Sequence, residues 1–171
     1  MANSHHVQID LYQLTQGLVP GEFTDVPSVF SQQVPADCLL SAHAITLTRI
    51  GRGAAVAEMV VKAMDLNQRG IAQAGAIVAL ADAAAGWASY SALEHGRFTT
   101  VNLTTNLLSA AREGDRLRAT VKPVRLGRKV QVLEVTVEAL VTTNGSGPAK
   151  PVARFGCTQL VPEPTAGQDK T

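Results

Sequence analysis

Residues 70–86 read GIAQAGAIVALADAAAG, and Asp82 is the one charged position among small and aliphatic side chains. An ionised carboxylate buried without a partner is costly, so such groups are paired, protonated or functional. The wider segment 74–92 is rich in alanine and free of proline, which reads as a helix. Ile77, Leu80, Ala81, Ala84, Trp87 and Ala88 make an apolar side, and the opposite side is hardly more polar. Such a helix is expected to be covered nearly all round. Helical spacing places Gly75, Val78, Ala79, Ala85, Gly86 and Ser89 around Asp82. That stripe is thin enough for a second chain or a ligand to approach the backbone. No long cation lies within a turn of Asp82, so a purely structural role would need an Arg or Lys from elsewhere.

Outside the helix the period drops to two. On the N-terminal side, HAITLTRI (43–50), the GRG turn (51–53) and AAVAEMVVKA (54–63) read as a hairpin, followed by the loop MDLNQRG (64–70). A strand follows the GRG, so it is not a dinucleotide-binding turn. On the C-terminal side, Val101, Leu103 and Leu107 alternate with Thr100, Asn102, Thr104 and Asn106. Leu117, Ala119 and Val121 alternate with Arg116, Arg118, Thr120 and Lys122. This is the pattern of antiparallel strands with one solvated face. The turn at Gly127 leads to KVQVLEVTVEALV (129–141), TTNGSGP (142–148) is a strong turn signal, and PVARFGCTQLV (151–161) is the last strand. The order β-β-α-β-β-β-β is that of an α+β fold, an antiparallel sheet of about six strands wrapped around one long central helix.

The totals narrow the function. A chain of 171 residues, 46% hydrophobic and 17% charged, fits one folded domain. Its formal net charge of +1, with both signs scattered, gives no reason to expect nucleic acid or an anionic membrane as partner. Asp82 breaks the longest apolar run well short of the ~20 residues of a membrane span. The N-terminal MANSHHVQIDLYQLTQGLVP lacks the basic-then-apolar order of a secretory signal, so a cytoplasmic location is expected. Cys38 and Cys157 show no metal-type spacing and are expected to be free thiols; no metal site is expected. His43 and His95 are isolated and read as structural or solvated, and Trp87 and Tyr90 as core or interface. Residues 1–28, with Gly17, Pro20, Gly21 and Pro27, read as a flexible lead-in carrying at most a short helix at 9–16. Residues 29–161 form the domain, and 162–171 a polar, flexible tail.

The stretch NQRGIAQAGAIVALADAAAG (67–86), with TTVNLTTNLLSAAREGDRLRATVKPVRLGRKVQVLEVTVEAL (99–140) and VARFGCTQLV (152–161), resembles the hotdog-fold acyl-CoA thioesterases of the phenylacetic-acid-degradation type. That family shows Asn, a few residues, Gly, then His-Gly-Gly, then Leu-Ala-Asp-x-Ala on the central helix. The resemblance spans roughly residues 43–161. It implies that Asn67 helps fix substrate and water, and that Asp82 is the general base or nucleophile on the thioester. Gly75 matches the second Gly of the motif, while Gln73 stands in place of the His and Ala74 in place of the first Gly. The amide at position 74 survives Gly→Ala where φ is negative, so an oxyanion site at the positive end of the helix is retained. Gln73 donates a hydrogen bond but does not titrate near neutral pH.

Arg125, Arg128 and Lys129 around Gly127 read either as a solvated turn or, by the resemblance, as a grip on coenzyme A phosphates. Thr104, in the Thr-rich strand, joins that substrate-binding set. The implied reaction is hydrolysis of a small or medium acyl- or aroyl-CoA to free acid and CoA, with no cofactor beyond the CoA of the substrate. The implied assembly is a homodimer with active sites at its interface, alone or paired into a tetramer, with strand 98–108 meeting its own copy. The alternative is a catalytically weak acyl-CoA-binding hotdog protein. A hotdog hydratase is disfavoured, because no His follows Asp82 within two helical turns.

Overall fold

A computed structural model of the chain describes residues 8–141 and 148–163. The expected turn at 142–148 and the tail from 162 lie largely outside those residues, as does the start of the lead-in. The long helix, α3, spans Ala74–Ala92, as its composition predicts, after short helices α1 (Leu11–Leu14) and α2 (Leu39–Ala42). The expected strands form in the expected order, preceded by a two-residue strand β1 (Thr24–Asp25). They are β2 (Thr46–Gly51), β3 (Ala54–Val60), β4 (Thr99–Leu107), β5 (Arg116–Leu126), β6 (Val130–Val141) and β7 (Lys150–Leu160). All join one antiparallel sheet in the order β1-β2-β3-β5-β6-β7-β4. This is the hotdog arrangement, with the sheet curved round α3.

Alternation of inward and outward residues, read from sequence for Leu117, Ala119 and Val121, sets the core. Ala57 pairs with Ala119, Ala119 with Val137 and Val137 with Ala153, giving one inward row across four strands. Val121, Val135 and Phe155 form the next row, and all seven residues are at most 3% exposed. Against these rows α3 buries Ile77, Leu80, Ala81, Ala84, Ala85 and Ala88. Alanine at so many contacts lets the helix axis lie close to the sheet, where larger side chains would hold it off.

Within residues 8–28 a short segment packs on the domain. The helix expected at 9–16 forms as α1, and Leu11 and Thr15 are buried against α3. Thr15 Oγ1 donates to the carbonyl of Ser91 at 3.0 Å. Ser91 Oγ in turn donates to Gly51 O at 2.8 Å and accepts from Gly53 N at 3.0 Å. The C-terminal end of α3 is thus tied to the β2–β3 turn, where Gly53 takes a φ of +70°. The isolation of His43 is corrected: it pairs through Nδ1 with the buried carboxylate of Asp65, from 22 positions away in sequence. The role remains structural.

Candidate active site

Asp82 is not enclosed as the all-round apolarity of α3 predicts. It is exposed, on a stripe with exposed Gly75 and half-buried Val78, Ala79 and Gly86. The reason is topological. That side of α3 meets β4, which is paired only to β7 and forms the edge of the sheet. Among the described residues no further strand covers the helix there. Among the described residues Asp82 forms no ion pair.

Thr100 Oγ1 donates to Asp82 Oδ1 at 3.3 Å. Simple alternation puts Thr100 on the solvated face with Asn102 and Thr104, so the sequence reading missed it. The register with β7 shifts between Thr100 and Asn102. A bulge inserts one residue and turns the side chain before it to the other face. Thr100 consequently stands opposite the buried Gln159, on the helix side with Leu103, while Val101 is 55% exposed. The only signal that could have found it is the bulge itself, which has no mark in the residue pattern. On β7 the pKa of the buried Cys157 thiol is pushed up to about 11, by burial first and by the charge of Asp82 second.

At the start of α3, Gln73 is the N-cap but its side chain makes no capping hydrogen bond. Its backbone is held at both ends: its N–H donates to Asp65 O at 2.7 Å, and its carbonyl accepts from Ala76 N and Ile77 N. The N–H groups of Ala74 and Gly75 have no acceptor among the described residues, as helical first-turn amides lack internal partners. Ala74 is not among the positive-φ residues, so alanine replaces glycine there without backbone strain. The space beside Gly75 is open. Asn67 lies in the preceding loop, closed by a bridge between Leu66 and Ala72. Its Oδ1 accepts from Arg69 N at 2.8 Å, and its N–H donates to Ile71 O.

Gly75 and Asp82, seven residues apart, share a face of α3, but lie roughly 10 Å apart along its axis. One chain does not bring both onto one carbonyl. Thr104 is also apart: it stands opposite Gly156 on the outer side of the sheet, donating to Gly156 O at 3.4 Å. Arg125, Arg128 and Lys129 gather at the β5–β6 turn, where Arg128 and Lys129 line a cavity of about 580 Å³ with Ala92 and Leu93. That end of α3 is roughly 15 Å beyond Asp82. Lys129 Nζ meets Glu163 Oε1 at 2.8 Å in an exposed pair. Among the described residues no group of three or more His, Cys, Asp or Glu side chains could hold a metal ion, and no helix is long and apolar enough to cross a membrane.

Comparison with known proteins agrees with this architecture. Residues 70–144 match the model of the Thioesterase superfamily. A mutant of the phenylacetic acid degradation protein PaaI from Thermus thermophilus is similar at 25% identity and a TM-score of 0.64, over 72% of this chain and 97% of that one. Protein smu.793 of Streptococcus mutans UA159, bound to acetyl CoA, is similar at 25% identity and a TM-score of 0.61, over 69% of this chain and 88% of that one. The PaaI protein of the E. coli phenylacetic acid degradation operon shares the fold, at 24% identity and a TM-score of 0.67, over 79% of this chain and 90% of that one. No curated protein matches. With a seven-stranded antiparallel sheet round one long helix, the chain has the hotdog fold and is similar to the PaaI proteins, and its segment from the Gly70 loop through α3 into β6 matches the thioesterase superfamily.

Proposed function

We propose that the protein hydrolyses small or medium acyl- or aroyl-CoA thioesters, with Asp82 as general base or nucleophile. The observation that carries this reading is the carboxylate of Asp82, without an ion-pair partner among the described residues and held by Thr100 on an exposed stripe of small residues. As a base, Asp82 takes a proton from water while the water oxygen bonds to the thioester carbonyl carbon. The carbonyl oxygen gains charge and is held by amide N–H groups at a helix N-terminus, worth ~10²–10³ in rate for one such donor. The C–S bond then breaks and the CoA thiolate takes up the proton.

In this reading the amides of Ala74 and Gly75, with Asn67 and Gln73, serve the Asp82 of a second copy. The two-turn separation along α3 is one support for that arrangement. The other is β4, an edge strand that leaves Val101 and Leu107 each more than half exposed, as is Leu108 just after it. A homodimer covering that edge removes a strand open to aggregation. The basic turn at Arg125, Arg128 and Lys129 is assigned to the CoA phosphates, and Thr104 to the same substrate.

A second reading, an acyl-CoA-binding protein of weak activity, is favoured by Gln73, which cannot titrate where the resembled thioesterases place His. Turnover and binding measured on one acyl-CoA panel separate the two. Hydrolysis of at least one member at 1 s⁻¹ or more, roughly the lower end of typical enzyme turnover, supports the enzyme. Tight binding with no turnover across the panel contradicts it.

A further inference from the structure

The helix-facing side of the sheet carries two buried glutamines among its apolar residues. Gln131 on β6 and Gln159 on β7 stand directly opposite each other, 1% and 0% exposed. Gln159 Nε2 donates to Cys157 Sγ at 3.2 Å. The Oε1 atoms of both glutamines have no partner among the described residues. Ser89 Oγ is in the same state, fully buried, two turns beyond Asp82 on the same face of α3. Buried side-chain oxygens in folded proteins find a donor, and where the chain supplies none, ordered water does.

The polar row continues past the glutamines on both sides. Toward β4, Thr100 stands opposite Gln159 and holds Asp82. Away from it, Gln131 lines the cavity of about 580 Å³ at the end of α3, with Arg52, His95, Arg128 and Lys129. Directly opposed residues of an antiparallel pair have Cβ atoms about 4.5–5.5 Å apart. Successive members of the row Thr100, Gln159 and Gln131 are therefore within reach of single bridging waters.

We propose that Gln159 and Gln131 are positioning residues that hold a file of water between α3 and the sheet and feed water to Asp82 from that cavity. The proposal rests on the reading of Asp82 as catalytic. Once substrate and a second copy cover the exposed stripe, bulk water no longer reaches the carboxylate directly. Each turnover still consumes one water: its oxygen bonds to the carbonyl carbon, and its proton passes to Asp82 and then to the departing thiolate. A nucleophilic Asp82 needs the same water, to cleave the acyl anhydride it would form.

The test replaces both glutamines by methionine, which keeps length and approximate volume. Exchanging both members of a buried polar pair for apolar groups of similar shape is close to neutral for folding. Gln131→Met with Gln159→Met is expected to lower kcat at least tenfold with KM and Tm unchanged. A crystal structure of the wild type is expected to show water within hydrogen-bond distance of both Oε1 atoms. A kcat within twofold of wild type, or a crystal with no water at those atoms, overturns the proposal. Asp82→Asn is assayed alongside. If it loses turnover while the methionine pair keeps it, the water file alone fails; if it keeps turnover, the reading of Asp82 fails.

Discussion

The hydroxyl of Thr100 reaches the carboxylate of Asp82 at 3.3 Å because a bulge in β4 turns it toward the helix. A donor at this place orients the carboxylate without neutralising it. Thr100→Val keeps the branched shape and removes the donor. It should lower kcat by about tenfold, or about 1.4 kcal/mol. Thr100→Ser should stay within about threefold, since it keeps the hydroxyl. Steady-state kinetics on one acyl-CoA checks both, and equal activity of Val and Ser would remove the hydrogen bond from the mechanism.

Gln73 caps α3 by its backbone and leaves its side chain free of any capping bond. If the His of the resembled motif acts by hydrogen bonding, Gln73→His should change kcat/KM by less than about tenfold. A rise of a hundredfold or more would mark the natural protein as a weakened enzyme and favour the binding reading.

The open edge of β4 gives a prediction about assembly. Val101 and Leu107 are 55% and 51% exposed, so lysines there cost the isolated fold little, within about 0.5 kcal/mol. In a dimer paired along β4 they would be covered. Sedimentation should find the wild type dimeric or larger at micromolar concentration and the Val101→Lys, Leu107→Lys variant monomeric and inactive. A monomeric wild type with full turnover would contradict the shared site.

The two thiols should behave differently. Cys38 is partly exposed, and backbone and side-chain hydrogen bonding with Ser41 lowers its pKa. Cys157 is buried and holds its proton to about 11. A thiol reagent at pH 8 should therefore modify one cysteine per native chain quickly, and Cys38→Ser should abolish that phase. The Cys157 thiol has a folded value raised above its unfolded 9.0, so its contribution to stability is full below pH 9 and is lost as pH rises toward 11. Fast modification of Cys157 in the native protein would contradict its burial.

Much of this architecture is written in local pattern. Proline-free, alanine-rich sequence marked Ala74–Ala92, period-two alternation marked β5 with the correct face inward, and the segments that form β6 and β7 were read as strands. What pattern could not supply is what depends on neighbours far along the chain. The apolarity of α3 does not say which side the sheet leaves open, so Asp82 reads as enclosed although it lies beside an edge strand. The Thr100–Asp82 bond depends on a one-residue shift of register, and the His43–Asp65 pair on two loops meeting. The early short helix was foreseen, but its burial required knowing where α3 ends and what it leaves to be covered.

The central claim is that Asp82 performs chemistry and does not merely hold structure. Asp82→Asn preserves size and the acceptor for Thr100 while removing the charge needed to attack or deprotonate. Asp82 has no ion-pair partner among the described residues, so its loss strands no cation there. The most direct measurement is acyl-CoA hydrolysis by this variant beside its melting curve. A catalytic Asp82 predicts a fall in kcat of at least ~10²-fold, the lower end for a lost general base, at a Tm near that of wild type. Retained turnover in a destabilised protein would contradict it.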